Sequence, residues 1–130
     1  MAVVLIIDDD FLKTKNISDI ITGELFLNRP DIEIVFAQTE EEAWQQYQAN
    51  KDELKLIVCD YALPQDQEGF PADMPGFVMR VLADGFQGKL FANSASRNGR
   101  LISAGCHERL SINPEENMKL ISQALGIPCT

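Results

Sequence analysis

The sequence predicts an α/β domain: one parallel sheet with helices on both faces. Three observations carry that expectation. Short apolar runs alternate with stretches of helical period in five β/α units. The first run is apolar at every position, as a strand covered on both faces requires. No linker, repeat or low-complexity segment interrupts the alternation, so 1–130 reads as a single domain.

The elements follow in order. Residues 3–7 (VVLII) form a buried, β-branched strand. From 11 to 27, Ile17, Ile20, Ile21 and Leu25 keep helical spacing, and Asn28-Arg29-Pro30 ends that helix. Residues 32–36 are a second strand. Thr39-Glu40-Glu41-Glu42 is a capping box that opens a helix to about Asn50, with Ala43, Trp44 and Tyr47 on its inner face. Residues 54–59 (LKLIVC) are a third strand, ending at Asp60.

Residues 62–76 hold three prolines, two glycines and three acids, and read as a long loop. Residues 77–82 are helical, with Phe77, Val78, Val81 and Leu82 on one face. Residues 89–92 are a fourth strand. Residues 97–104 are a helix in which Gly99 costs roughly 1 kcal/mol relative to Ala. A fifth strand lies around 108–112. Asn113-Pro114-Glu115-Glu116 is a helix start: Asn as cap, Pro at the first position, acids in the first turn. That helix ends near Leu125, before Gly126.

Composition narrows the function. Lys+Arg number 11 against Asp+Glu 20, a net charge of -9. That leaves no basic face for nucleic acid or an anionic membrane. Three cysteines without C-x-x-C spacing exclude a disulfide framework and a sulfur zinc site. They point to a reducing cytoplasm. Cys59 reads as a buried strand residue, inert because no positive charge adjoins it. Residues 2–7 precede three aspartates and follow no basic segment, so neither a signal peptide nor a membrane span is expected.

Parallel sheets bind ligands beyond the carboxyl ends of their strands. The first strand ends in Asp8, Asp9 and Asp10, the third in Asp60, the fourth in Asn93, Ser94 and Ala95. Asp10 alone can be a helix cap. Acids ending two strands, with a hydroxyl ending another, are not explained by capping. Gathered carboxylates repel unless a cation joins them, and oxygen donors select a hard one such as Mg²⁺.

The segments VVLIIDDD (3–10), LIVCDYALP (56–64), PGFVMRVL (75–82), NSAS (93–96) and AGC with NP (104–106, 113–114) resemble the receiver domain of two-component response regulators. The resemblance runs from Val3 to about Leu125. It implies a flavodoxin-like fold, a five-stranded parallel sheet of order 2-1-3-4-5, with no output domain. It also implies roles. Asp60 would be the phosphoacceptor, taking a phosphoryl group from a histidine kinase or phosphotransfer protein. Asp9 would ligate Mg²⁺ directly and Asp8 through water, with Asp60 and the backbone carbonyl of Ala62 as further ligands. Ser94 would be the switch hydroxyl. The expected product is a cytoplasmic signalling switch acting on a downstream protein, not an enzyme beyond its own phosphorylation and dephosphorylation.

Three departures stand against that pattern. The family lysine before a proline is replaced by Asn113, and the segment after Gly105 is one residue longer. Arg97 and Arg109 are the nearest cations in sequence. The switch aromatic is absent, with Arg109 or Leu110 in its place. The loop between Pro64 and Gly76 carries an insertion that adds Asp66, Glu68 and Asp73. These departures keep a second expectation open, a phosphorylation-independent docking module. A third, an Mg²⁺-dependent hydrolase with an aspartate nucleophile, lacks room for a cap domain.

Overall fold

A computed structural model describes residues 2–8, 32–60, 73–93, 98–110 and 113–126. Strand β1 (Ala2–Ile7) is followed by β2 (Ile32–Ala37), α1 (Glu40–Asn50), β3 (Leu54–Cys59), α2 (Met74–Ala83), β4 (Lys89–Ala92), α3 (Asn98–Ala104), β5 (Glu108–Arg109) and α4 (Pro114–Leu125). The strands form one sheet of order β2-β1-β3-β4-β5, and every pairing is parallel. The expected fold class and strand order are both present. The helix expected over 11–27 lies outside the described residues.

Strand alternation sorts the core into two layers. Val3, Leu5, Ile7, Ile57, Cys59, Leu90 and Ala92 face one side, where Tyr47 of α1, Phe77 and Val81 of α2 and Leu101 of α3 pack on them. Val4, Ile6, Leu56, Val58 and Phe91 face the other side, against Ile121 and Leu120 of α4. Both faces are covered, which is why β1 needs no polar residue until Asp8.

One irregularity shapes the sheet. The β1–β3 register jumps between Val3, paired with Leu54, and Val4, paired with Leu56. Lys55 is therefore a bulge residue. It puts Leu54 and Leu56, two positions apart, on opposite faces. Gly88 accommodates it: a Cβ there would stand 2.5 Å from the Lys55 carbonyl oxygen.

The helix ends follow the sequence. Thr39 Oγ1 accepts from Glu42 N at 3.1 Å, and the Glu42 carboxylate reaches back to the N–H of Gln38. Asn113 Oδ1 accepts from Glu115 N at 2.9 Å and caps α4. Gly126, at φ 69, closes that helix.

One expectation is corrected. The loop over 62–76 does not extend to its expected end, because α2 begins at Met74. Asp73 is its cap, accepting from Gly76 N at 2.9 Å. Pro75 falls in the first turn, where the lack of an N–H is harmless. The segment read as proline-rich loop was in part a helix start. The fifth strand is also shorter than expected at two residues, although Leu110 N still donates to Ala92 O; 111–112 lie outside the described residues.

Candidate functional site

The site is built by register. Ile7 pairs with Cys59, and Cys59 with Ala92. The next residues are Asp8, Asp60 and Asn93, which therefore stand level on three neighbouring strands. The ladder continues through them. Asp60 N donates to Ile7 O at 2.9 Å, and Asn93 N donates to Cys59 O at 2.7 Å. Asp8 N donates across to Ala37 O of β2 at 3.0 Å. Adjacent strands lie about 4.8 Å apart. By alternation the three side chains leave on the side of Ile6, Val58 and Phe91.

Both acids are buried: Asp8 is 4% exposed and Asp60 5%. Holding two carboxylates on neighbouring strands away from water is costly unless hydrogen bonds or a cation offset it. Their oxygen donors fit a hard divalent cation and suit no soft metal. Among the described residues no three His, Cys, Asp or Glu side chains form a closed metal cluster. Asp9, Ala62 and Ser94 lie outside the described residues, as do Asp66, Glu68 and Arg97.

Charge is distributed unevenly about this site. Lys55 lies near the start of β3, Lys89 opens β4 and Lys51 caps the end of α1. All three stand at the amino-terminal end of the sheet, away from the acids. Asn113, at the family lysine's place, points its oxygen at the first amides of α4. Arg109 ends β5 level with Ala92 and is exposed. Leu110, the other candidate for the switch position, is buried in the α4 layer. Asp73 of the expected acidic insertion has a structural task as cap of α2, and its N–H donates to Glu40 Oε1.

Sequence reasoning gave Asp84 and Arg80 no role. The structure places them at the α1–α2 seam. Tyr47 donates its hydroxyl to Asp84 at 2.7 Å, Lys51 stands 3.6 Å from the same carboxylate, and the Arg80 guanidinium lies 3.6 Å from the Trp44 ring centroid. Trp44 is thus half-buried at the edge of the inner layer, while Ala43 and Tyr47 are fully buried. Nothing in sequence spacing links residues 47 and 84.

No protein-family model matches the chain, and no curated protein matches it either. Solved structures do. A response regulator receiver domain protein from Clostridium thermocellum superposes with a TM-score of 0.73 at 16% identity, covering 97% of this chain and 95% of that one. The CheX-CheY-BeF3-Mg+2 complex from Borrelia burgdorferi gives 0.73 at 15% identity, covering 95% and 89%. The Mn(2+)-bound form of response regulator Rcp1 gives 0.66 at 14% identity, covering 95% and 91%. The chain has the fold of response regulator receiver domains. Identities this low carry the fold, and roles must be argued from the chain's own residues.

Proposed function

We propose that the chain is a receiver of two-component signalling, phosphorylated on Asp60 with Mg²⁺. The observation that carries this reading is the buried pair Asp8 and Asp60, level on neighbouring central strands at the carboxyl end of the sheet. The phosphoryl donor is a histidine kinase or phosphotransfer protein in the cytoplasm. One Asp60 oxygen attacks the phosphorus in line as the phosphorus–nitrogen bond of the donor imidazole breaks. The imidazole leaves, and the sheet ladder through Asp60 N holds the nucleophile still. Asp8, Asp9, Asp60 and the Ala62 carbonyl are the groups that would hold the cation. Mg²⁺, when bound, neutralises charge on the phosphoryl oxygens. Ser94 is the hydroxyl that turns toward the new phosphoryl group, which adds about -1.5 to -2 charge and three acceptors. The output is a changed surface for a downstream protein, with no turnover of any other substrate.

Mass spectrometry after exposure to acetyl phosphate and Mg²⁺ tests the reading. One added phosphoryl group is expected on the wild type and none on Asp60→Asn. Labelling that persists in that variant sinks the assignment.

One observation favours a second reading, a docking module indifferent to phosphate. Asn113 is committed to capping α4, and the described lysines nearest the sheet lie at its other end. Failure of the wild type to label, with Mg²⁺ present and the fold intact, selects this alternative.

A further inference from the structure

A cavity of about 290 Å³ opens between the start of β4, the start of β5 and the C-terminal half of α4. Its origin is the brevity of β5. That strand has two residues, and the first, Glu108, is level with Phe91, so no β5 residue stands level with Lys89. Lys89 and Phe91 are two positions apart on β4, and Phe91 belongs to the layer under α4, so Lys89, Phe91 and Glu108 share that side of the sheet. Phe91, 3% exposed, forms the floor with Leu120 and Ala124, one turn apart on α4. Lys89, His107, Glu108 and Gln123 make an exposed rim. An apolar floor beneath a few polar groups is the usual build of a small-molecule site.

The rim specifies the chemistry of an occupant. Leu90 N donates to His107 Nδ1 at 3.0 Å, and His107 N donates to Leu90 O at 2.8 Å. The proton of the neutral ring is therefore on Nε2, and the backbone of a fully buried residue fixes the ring's orientation. His107 thus offers a placed donor, and its protonated Nε2 is no metal ligand. Lys89 adds a positive charge and Glu108 a negative one. Among the described residues, these opposite charges line one cavity without forming an ion pair, with each other or with any other group.

We propose that this cavity binds a small apolar α-amino acid as its zwitterion. The carboxylate accepts from Lys89 and from His107 Nε2–H, the ammonium donates to Glu108, and the apolar side chain lies on Phe91, Leu120 and Ala124. A ligand with a carboxylate alone would meet Glu108 uncompensated on a chain of net charge -9. A ligand with an ammonium alone would meet Lys89. The zwitterion satisfies both charges, and its apolar body explains the floor. The site lies at the amino-terminal end of the sheet: Lys89 is level with Leu56, four positions before Asp60 on β3. It is therefore separate from the acids at the strand ends.

Titration of the isotope-labelled full chain with L-leucine and L-phenylalanine, followed by NMR, provides the test. Saturable shifts are expected at the amides of Leu90, Phe91 and His107. N-acetyl-L-leucine lacks the ammonium, L-leucinamide lacks the carboxylate and glycine lacks the apolar body; each should bind about tenfold more weakly or worse. Lys89→Ala and Glu108→Gln should each weaken L-leucine about tenfold while the melting temperature holds. His107→Asn keeps an acceptor for Leu90 N and removes the Nε2–H, so it should keep the fold and weaken binding. Shifts that never saturate, N-acetyl-L-leucine or glycine binding as well as L-leucine, or undiminished binding by Lys89→Ala and Glu108→Gln would each overturn the proposal. Asp60→Asn should bind L-leucine as the wild type does, so the result stands or falls separately from the reading of Asp60.

Discussion

At the seam between α1 and α2, unlike groups converge; at the carboxyl ends of β1 and β3, like groups do. Asp84 receives the Tyr47 hydroxyl and a lysine, and Arg80 covers the Trp44 face beside it. Every member of that cluster lowers the energy of another. The Tyr47 hydroxyl and the lysine hold the Asp84 carboxyl below its usual value. Burial first, then the Asp84 hydrogen bond, pushes Tyr47 up to about 12. Asp8 and Asp60 instead bring two acids to one buried end of the sheet, on neighbouring strands. Polar groups that support one another explain themselves as structure; gathered acids are what an oxygen-donor cation site is built from.

Variants can sharpen or break this contrast. The largest effect belongs to the packing under the seam. Phe77 is buried and meets Trp44 edge to face at 6.5 Å between centroids. Phe77→Ala should cost about 3–5 kcal/mol in chemical denaturation. A loss under 1 kcal/mol would mean that the seam carries little of the fold.

The strand ends should respond to metal and the seam should not. Mg²⁺ at ten times its dissociation constant should stabilise the wild type by roughly 1.4 kcal/mol, read as a rise in melting temperature. Asp8→Ala or Asp9→Ala should remove most of that rise, whereas Arg80→Ala should leave it intact. An equal rise with an ionic-strength control would remove the distinction between the two regions.

Tyr47→Phe should lower the melting temperature by a few degrees near neutrality. Its pH dependence is specific. The raised Tyr47 value makes the contribution complete below pH 10 and lost as pH climbs toward 12. The lowered Asp84 value makes it complete above the ordinary carboxylate range and lost as pH falls through the folded value. The difference between wild type and variant should therefore form a plateau between those limits. A difference that persists unchanged at pH 12 would show that the hydroxyl acts through packing alone.

The smallest effects concern the outer layer of the seam. Arg80→Ala should cost about 0.5–1 kcal/mol through the lost contact with Trp44. Lys51→Ala should be close to neutral, since both partners of its ion pair are well exposed. A larger cost for Lys51 than for Arg80 would invert the assigned order.

Much of this molecule is legible in the chain itself. The apolar run over 3–7, the run LKLIVC and the caps at Thr39 and Asn113 specify their elements locally, because periodicity and capping act between residues a few positions apart. Proline and glycine misled the reading at 73–76, since those residues mark loops and first helical turns alike and the Asp73 cap decides between them. The acids at the strand ends were visible as residues, and the expected strand order brought them together on paper.

Their being level was decided by register, through Ile7, Cys59 and Ala92, and a shift of one residue would have sent Asp60 to the other face. The bulge at Lys55 is such a shift, and it was invisible because a strand's pairing depends on its neighbours as much as on itself. The Tyr47–Asp84 contact is of the same kind: it joins residues dozens of positions apart through helix packing. The sequence by itself determined where the elements start, which faces are apolar and which acids end the strands, because short-range sterics and hydrophobic period settle those matters. Only the tertiary structure decided which side chains meet, because that depends on register and on how helices seat across the sheet.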